Sequence, residues 1–148
     1  CLFTDIVSLG PHFAQALTCK MKLSGQMSEH EIQSTFVDLI DAQYPEILYC
    51  ATVGGARMSM RQAKKMKESG YRKGVPDVVF YEARRGYYGL CIEIKKKGGR
   101  TSPHQVQWQN DLLNRGYSSL ICTGLEECVR QFNAYFKLNL SLPTSDVG

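Results

Sequence analysis

Three residues in this sequence stand at a spacing that could do chemistry: Asp77, Glu93 and Lys95. They lie in the stretch Gly74-Val-Pro-Asp77-Val-Val-Phe-Tyr-Glu-Ala-Arg-Arg-Gly86-Tyr-Tyr-Gly-Leu-Cys-Ile-Glu93-Ile-Lys95. Val78 to Tyr81 and Tyr88 to Ile94 are rich in the β-branched and aromatic residues of strands. Arg84-Arg85-Gly86 between them reads as a three-residue hairpin loop, with Gly86 free to take a positive φ. That loop pairs Ala83 with Tyr87, and the same register puts Asp77 opposite Glu93. Opposed residues share a face of the sheet, and Lys95, two residues past Glu93, shares it too. Two carboxylates face to face repel, and one pKa rises unless a cation lies between them. Lys95 could supply that charge, but a divalent ion with oxygen ligands suits the pair better. The other face holds Val78, Phe80, Leu90, Ile92 and Ile94, so the charges sit in an apolar setting where charges seldom occur without a purpose.

Taken singly, these residues have ordinary explanations. Asp after Pro is a turn residue, and Glu-x-Lys on a strand is a salt-bridge pair. Their combination on one hairpin is what points to metal chemistry. A further acid, Glu29, opens a helix. Ser28-Glu29-His30-Glu31 reads as a capping box with Ser28 as N-cap, which gives Glu31 a structural task and leaves Glu29 the freer for chemistry. Its ordinary role would be to complement the helix dipole.

The elements that must position these residues follow from periodicity. A helix from Ser28 to about Ala42 carries the stripe Ile32, Phe36, Leu39 and Ile40, and Tyr44-Pro45 ends it. Ile47 to Thr52 reads as a strand, and Gly54-Gly55 as a turn or close approach. Ser59 caps a basic helix that runs to Gly70. After the hairpin and Gly98-Gly99, Thr101 or Ser102 starts a helix with Val106, Leu112 and Leu113 facing inward and Trp108 packed nearby; Gly116 closes it. Tyr117 to Cys122 is a strand, and Gly124 to about Lys137 a last helix with Leu125, Cys128, Val129, Phe132 and Phe136 as its stripe. Strand–helix–strand in the second half demands a right-handed crossover between parallel strands, whereas the hairpin is antiparallel. One mixed sheet flanked by helices, an α/β fold, is the economical assembly.

The chain of 148 residues is one domain in size, with 43% hydrophobic and 22% charged residues and a net charge of +4. The distribution of charge says more than its sum. Arg57, Arg61, Lys64, Lys65, Lys67, Arg72 and Lys73 face one acid, Glu68, in the same stretch, and Lys95, Lys96, Lys97 and Arg100 form a second cluster. Basic segments on either side of the hairpin fit an anionic polymer as substrate; a solvated helix face is the plainer account of the first. No two of the six cysteines are at C-x-x-C spacing, which removes support for a zinc or redox site and fits a reducing, intracellular setting in cytoplasm or nucleus. No apolar run is long enough for a membrane span, and no stretch reads as a signal peptide. The scattered His12, His30 and His104 do not supply a His-rich nuclease site, and there is neither a P-loop nor G-x-S-x-G.

In combination the residues resemble the VRR-NUC domain of the PD-(D/E)xK nuclease superfamily. The matching pieces are Glu29-His-Glu-Ile-Gln33, Tyr44-Pro45, Gly54-Gly55-Ala56-Arg57, Lys67 to Gly70, Gly74-Val-Pro-Asp77, Gly89-Leu-Cys-Ile-Glu93-Ile-Lys95, Ser102-x-x-Gln105 and Gly116-Tyr117. Each is weak alone; their order and spacing make the signal. The resemblance implies a restriction-endonuclease-like core and hydrolysis of DNA phosphodiesters with Mg²⁺ or Mn²⁺. It implies Asp77 and Glu93 as metal-binding carboxylates, aided by the Ile94 carbonyl and by Glu29, the first-helix acid. It implies Lys95 as the catalytic lysine and Gln105 as the glutamine that supports the site's geometry. Val53 departs from the polar residue expected before the Gly-Gly pair.

The domain expected on this basis covers residues 27–138, after an arm of uncertain structure over 1–26 and before a flexible tail over 139–148. Arg57, Arg61, Lys64, Lys65, Lys67, Arg72, Lys73, Lys96 and Lys97 are the expected DNA contacts. Stand-alone members of the family look like dimeric enzymes that cut junctions, so branched DNA, four-way junctions above all, and a homodimer are the expected partners. The alternative is a module with the same fold that binds nucleic acid without cutting it; the intact Asp77, Glu93 and Lys95 weigh against that.

Overall fold

The computed structural model describes residues 27–52 and 59–142. Within these, four helices and four strands follow one another: α1 (Glu29–Gln43), β1 (Tyr49–Ala51), α2 (Met60–Glu68), β2 (Val78–Phe80), β3 (Leu90–Lys95), α3 (Pro103–Asn114), β4 (Ser118–Thr123) and α4 (Leu125–Phe136). The order is the one the periodicity predicts. The strands form one sheet in the order β1-β2-β3-β4. β1 pairs antiparallel with β2, and β2 with β3. Along β3 and β4 the Ser118 amide donates to the Gly89 carbonyl at 2.9 Å and the Gly124 amide to the Lys95 carbonyl at 2.8 Å. The two bonds keep the same offset along the chain, which is parallel pairing, and α3 supplies the crossover such a pair requires. The sheet is therefore mixed, and the fold is α/β as expected.

The described residues divide into two compact units, one of residues 27–47, 94–99 and 122–142, the other of residues 48–52, 59–93 and 100–121. The first has its core between α1 and α4. Ile32, Phe36, Leu39 and Ile40 are buried on α1, and Leu125, Cys128, Val129, Phe132 and Phe136 on α4, the stripes read from the sequence. Phe132 lies 4.7 Å from Phe136, the rings tilted by 40°, and meets Phe36 edge-on at 6.1 Å. The first residues of the expected tail are tied to this unit: Leu140 is buried, with its amide and carbonyl both bonded to the Asn133 side chain, and Ser141 is held by Gln43. Residues 143–148, like the 1–26 arm, lie outside the described residues.

In the second unit Val78, Phe80, Leu90 and Ile92 are fully buried around the hairpin, with Tyr49 against Phe80 at 5.8 Å. The hairpin tip differs from expectation. Arg84 and Tyr87 exchange both backbone hydrogen bonds, so the turn has two residues, Arg85 and Gly86, and not three. Their φ values of 55° and 82° make it the left-handed turn that matches strand twist. Below it, Tyr81, Glu82 and Ala83 on one strand oppose Tyr88 and Gly89 on the other, a bulge with one extra residue. The shorter turn and the bulge cancel. Val78 pairs with Ile92 and Phe80 with Leu90, the register the longer loop predicts.

The helix α3 also departs from its expected face. Val106 is 41% and Leu113 47% exposed, so neither faces inward. The half-buried side is Gln105, Trp108, Gln109 and Leu112. Hydrogen bonds fix it: Trp108 Nε1 donates to the Lys73 carbonyl at 3.1 Å, and Gln109 Nε2 to the Ser119 carbonyl at 3.3 Å. Polar side chains with partners outweigh an apolar stripe here, which periodicity does not anticipate.

Candidate metal and nucleic-acid site

Asp77 ends the loop before β2. Two features hold the main chain there. The Thr52 amide donates to the Asp77 carbonyl at 2.7 Å, and the Thr52 hydroxyl to the Pro76 carbonyl at 3.0 Å. Upstream, Gly74 lies so close to His104 that a Cβ would fall 2.6 Å from its backbone carbon, so the loop seats against the start of α3 only with glycine at that point. Neither Thr52 nor Trp108 was legible as a support of the site; the sequence signal is no more than a polar residue at a strand end and a lone Trp.

One residue beyond the paired Val78 and Ile92, the same register sets Asp77 across from Glu93. Glu93 is buried at 6% exposure, while Asp77 is half-buried. A buried carboxylate needs partners. Gln105 Nε2 donates to Glu93 Oε1. The same amide closes the α3 capping box, since its Oε1 accepts the Ser102 amide at 2.8 Å and the Ser102 hydroxyl accepts the Gln105 amide at 3.3 Å. One side chain thus fixes a helix start and aims a carboxylate. The structure bonds Gln105 to Glu93 in the second compact unit; Asp77 lies in the same unit, one residue before the first paired residue of β2.

Lys95 is also buried, at 5% exposure, and belongs with Ile94 and Glu29 to the first unit. Its Nζ lies 3.8 Å from Glu29 Oε2, and Glu29 Oε1 accepts the Lys96 amide at 3.4 Å. The capping box is present as expected: the Ser28 amide donates to Glu31 Oε2 at 2.8 Å, and Ser28 Oγ accepts the Glu31 amide at 3.2 Å. That leaves Glu29 to meet Lys95. Glu93, Ile94 and Lys95 follow one another on β3, so Glu93 and Lys95 alternate with the apolar face that Ile92 and Ile94 make.

Among the described residues no group of three or more His, Cys, Asp or Glu side chains gathers to cage a metal. The donor set on offer is two carboxylates and main-chain carbonyls, all oxygen. That suits Mg²⁺ or Mn²⁺, which keep several waters and take one or two carboxylates together with substrate phosphate. It does not suit zinc, which favours sulfur and imidazole.

The basic helix α2 has no buried residue. Arg61, Lys64, Lys65 and Lys67 on it, and Arg72 and Lys73 after it, are exposed; Lys96 and Lys97, in the other unit, are exposed as well. Arg57 lies outside the described residues, with Val53 and the Gly54-Gly55 pair expected as a turn or close approach.

The VRR-NUC domain family model matches residues 17–126 of this chain. A solved structure titled "VRR_NUC domain protein" is similar to it with a TM-score of 0.60 and 27% identity, over 76% of this chain and 91% of that one. A comparison with curated proteins finds no match.

Proposed function

The chain belongs to the VRR-NUC domain family, and from that premise we propose that it is a Mg²⁺- or Mn²⁺-dependent endonuclease that hydrolyses phosphodiester bonds in branched DNA, with four-way junctions as its preferred substrate. The observation that carries this reading is the register that sets Asp77 across from Glu93, with the Gln105 amide on the buried carboxylate. Asp77 and Glu93, with the Ile94 carbonyl, would hold the ion. The ion, when bound, acidifies a water and neutralises charge on the phosphate. Lys95 orients the attacking water or stabilises the charge that develops on the phosphoryl oxygens. Glu29 holds the Lys95 ammonium in place, and as a metal ligand it would act directly or through water. Gln105 holds the Glu93 carboxylate against rotation. Arg61, Lys64, Lys65, Lys67, Arg72, Lys73, Lys96 and Lys97, with Arg57, bind phosphates and position the duplex without reading its sequence. Two-strand cutting of a junction follows if two copies assemble as a C₂ homodimer.

The test is a cleavage assay on labelled linear and branched DNAs beside a calorimetric metal titration. Asp77→Asn and Glu93→Gln should fold, keep DNA binding, and lose metal-dependent cleavage by at least about a hundredfold, the scale of an electrostatic group acting on the transition state. Lys95→Ala should keep metal binding and lose rate. Wild-type Mn²⁺ affinity and cutting in Asp77→Asn would reduce the hairpin to an ordinary salt-bridged strand pair.

A further inference from the structure

The tip of the hairpin holds residues that the metal site does not use. Arg85 takes a φ of 55°, in a turn position where Asn, Asp or Gly sit with less strain. Around it three tyrosines are exposed, Tyr81 at 55%, Tyr87 at 42% and Tyr88 at 70%. Tyr88 is built into place. Its amide donates to the Gly116 carbonyl at 2.9 Å, and its ring lies so near Gly116 that a Cβ there would come within 2.9 Å. The Tyr117 ring stands 6.1 Å away, tilted by 56°. Ala83, Arg84, Arg85, Gly86, Tyr87 and Tyr88 line a shallow, open recess of about 290 Å³, below the range of enclosing ligand pockets and the scale of one flat group laid on the surface. The charges at the tip are Glu82, Arg84 and Arg85, a formal sum of plus one; Arg84 is paired with Glu82 at 2.7 Å.

We propose that this tip is a stacking platform for unpaired bases of the DNA strand, with the Tyr87 and Tyr88 rings as the stacking surfaces and Arg85 on the adjoining phosphate. The recess contains no Leu, Ile, Val or Met, so it lacks the aliphatic core of a protein docking site. It combines supported aromatic rings with a net positive charge, which is what binds single strands irrespective of sequence. The inference rests on the nuclease reading of Asp77 and Glu93 and adds a place on the substrate. From Asp77 to Arg84 is seven residues, at most about 23 Å at ~3.3 Å each, or at most roughly seven nucleotides at ~3.4 Å per step. The DNA should therefore be most useful when it loses pairing within about seven nucleotides of the cut.

The test is binding by fluorescence anisotropy with Ca²⁺ in place of Mg²⁺, using a blunt duplex and the same duplex with single-stranded extensions of either polarity. A 2-aminopurine in the unpaired segment reports stacking by its quenching. Wild type should prefer the extended DNA and quench the probe. Tyr87→Ser with Tyr88→Ser should weaken binding of the extended DNA about tenfold, about the loss of one stacked base. It should leave the blunt duplex within twofold and abolish the quenching. Tyr87→Phe with Tyr88→Phe should behave as wild type, which separates stacking from folding defects. Equal loss on both DNAs, or no loss on either, would overturn the platform. So would unchanged binding with lost self-association, since the tyrosines would then hold a second copy. Failure of the wild-type protein to bind any of these DNAs would instead sink the nuclease reading beneath it.

Discussion

At the scale of the residue, one glutamine links folding to the site. Removing Ser102 Oγ in Ser102→Ala breaks one half of the α3 capping box and should cost about 1 kcal/mol of stability, with metal affinity kept. Gln105→Ala breaks the other half and also takes a donor from the buried Glu93 carboxylate. Hydrogen bonds to charged groups contribute about 1.5–3 kcal/mol. Gln105→Ala should therefore melt lower than Ser102→Ala and bind Mn²⁺ more weakly, as thermal unfolding beside calorimetry will read; equal metal affinity in the two variants would leave Gln105 a capping residue alone. A second residue sets an alkaline limit. Burial pushes the Cys91 thiol up from 9.0 to about 11, because the thiolate has no water around it. Between these values the unfolded chain releases the proton and the folded chain keeps it, so stability is full below pH 9 and falls as pH rises toward 11. At about 1.4 kcal/mol per pKa unit the loss is up to roughly 3 kcal/mol. Cys91→Ala should lack that share of the alkaline slope in denaturant melts taken from pH 8 to 11.

At the scale of the element, α2 is a helix held by its ends. Its capping box is complete, with the Ser59 amide bonded to Gln62 Oε1 at 2.9 Å and the Gln62 amide to Ser59 Oγ at 3.3 Å. Lys65 and Lys67 in its last turn complement the dipole. The exposed Lys64–Glu68 pair, at 3.9 Å, contributes little. A nine-residue helix with no buried face is not stable by propensity alone, and its charges are spent outward. Replacing two of Arg61, Lys64, Lys65 and Lys67 by Ala or Gln should leave the melting temperature nearly unchanged. The slope of log K against log salt for DNA binding should fall by about two, since each phosphate contact contributes about 0.9. The loss should be alike for all sequences. An unchanged slope would return α2 to an ordinary solvated helix.

At the scale of the whole molecule, no helix among the described residues is long and apolar enough to cross a membrane. The family membership covers most of the chain, residues 17–126. For the proposed cutting of junctions the assembly matters more than the fold, because one site of that kind would cut one strand. Sedimentation at micromolar concentration should show a dimer, and activity on four-way junctions should rise with dimer fraction. Monomer throughout, with full activity on junctions, would exclude the C₂ arrangement.

The sequence by itself determined the elements, the buried stripes of α1 and α4, and the facing of Asp77 and Glu93. These depend on local physics: caps bind their own helix start, periodicity 3.6 marks a buried face, and alternation along paired strands allows no slip of one residue without turning Phe80 and Ile92 to solvent. The family was legible for the same reason, since its pieces are caps, turns and strand ends at fixed spacing. The turn itself was not legible. A three-residue loop, and a two-residue turn followed by a bulge, lead to the same register, and only the φ of Arg85 and the backbone bonds exchanged by Arg84 and Tyr87 distinguish them. The inward face of α3 was decided by tertiary partners too, because Trp108 and Gln109 find carbonyls 35 and 10 residues away that no periodicity names. The second bond of Gln105 has the same cause. A capping box is a matter of three residues, but the choice of Glu93 as recipient of the spare N–H exists only once β3 and α3 are packed together, where a buried carboxylate must find a donor.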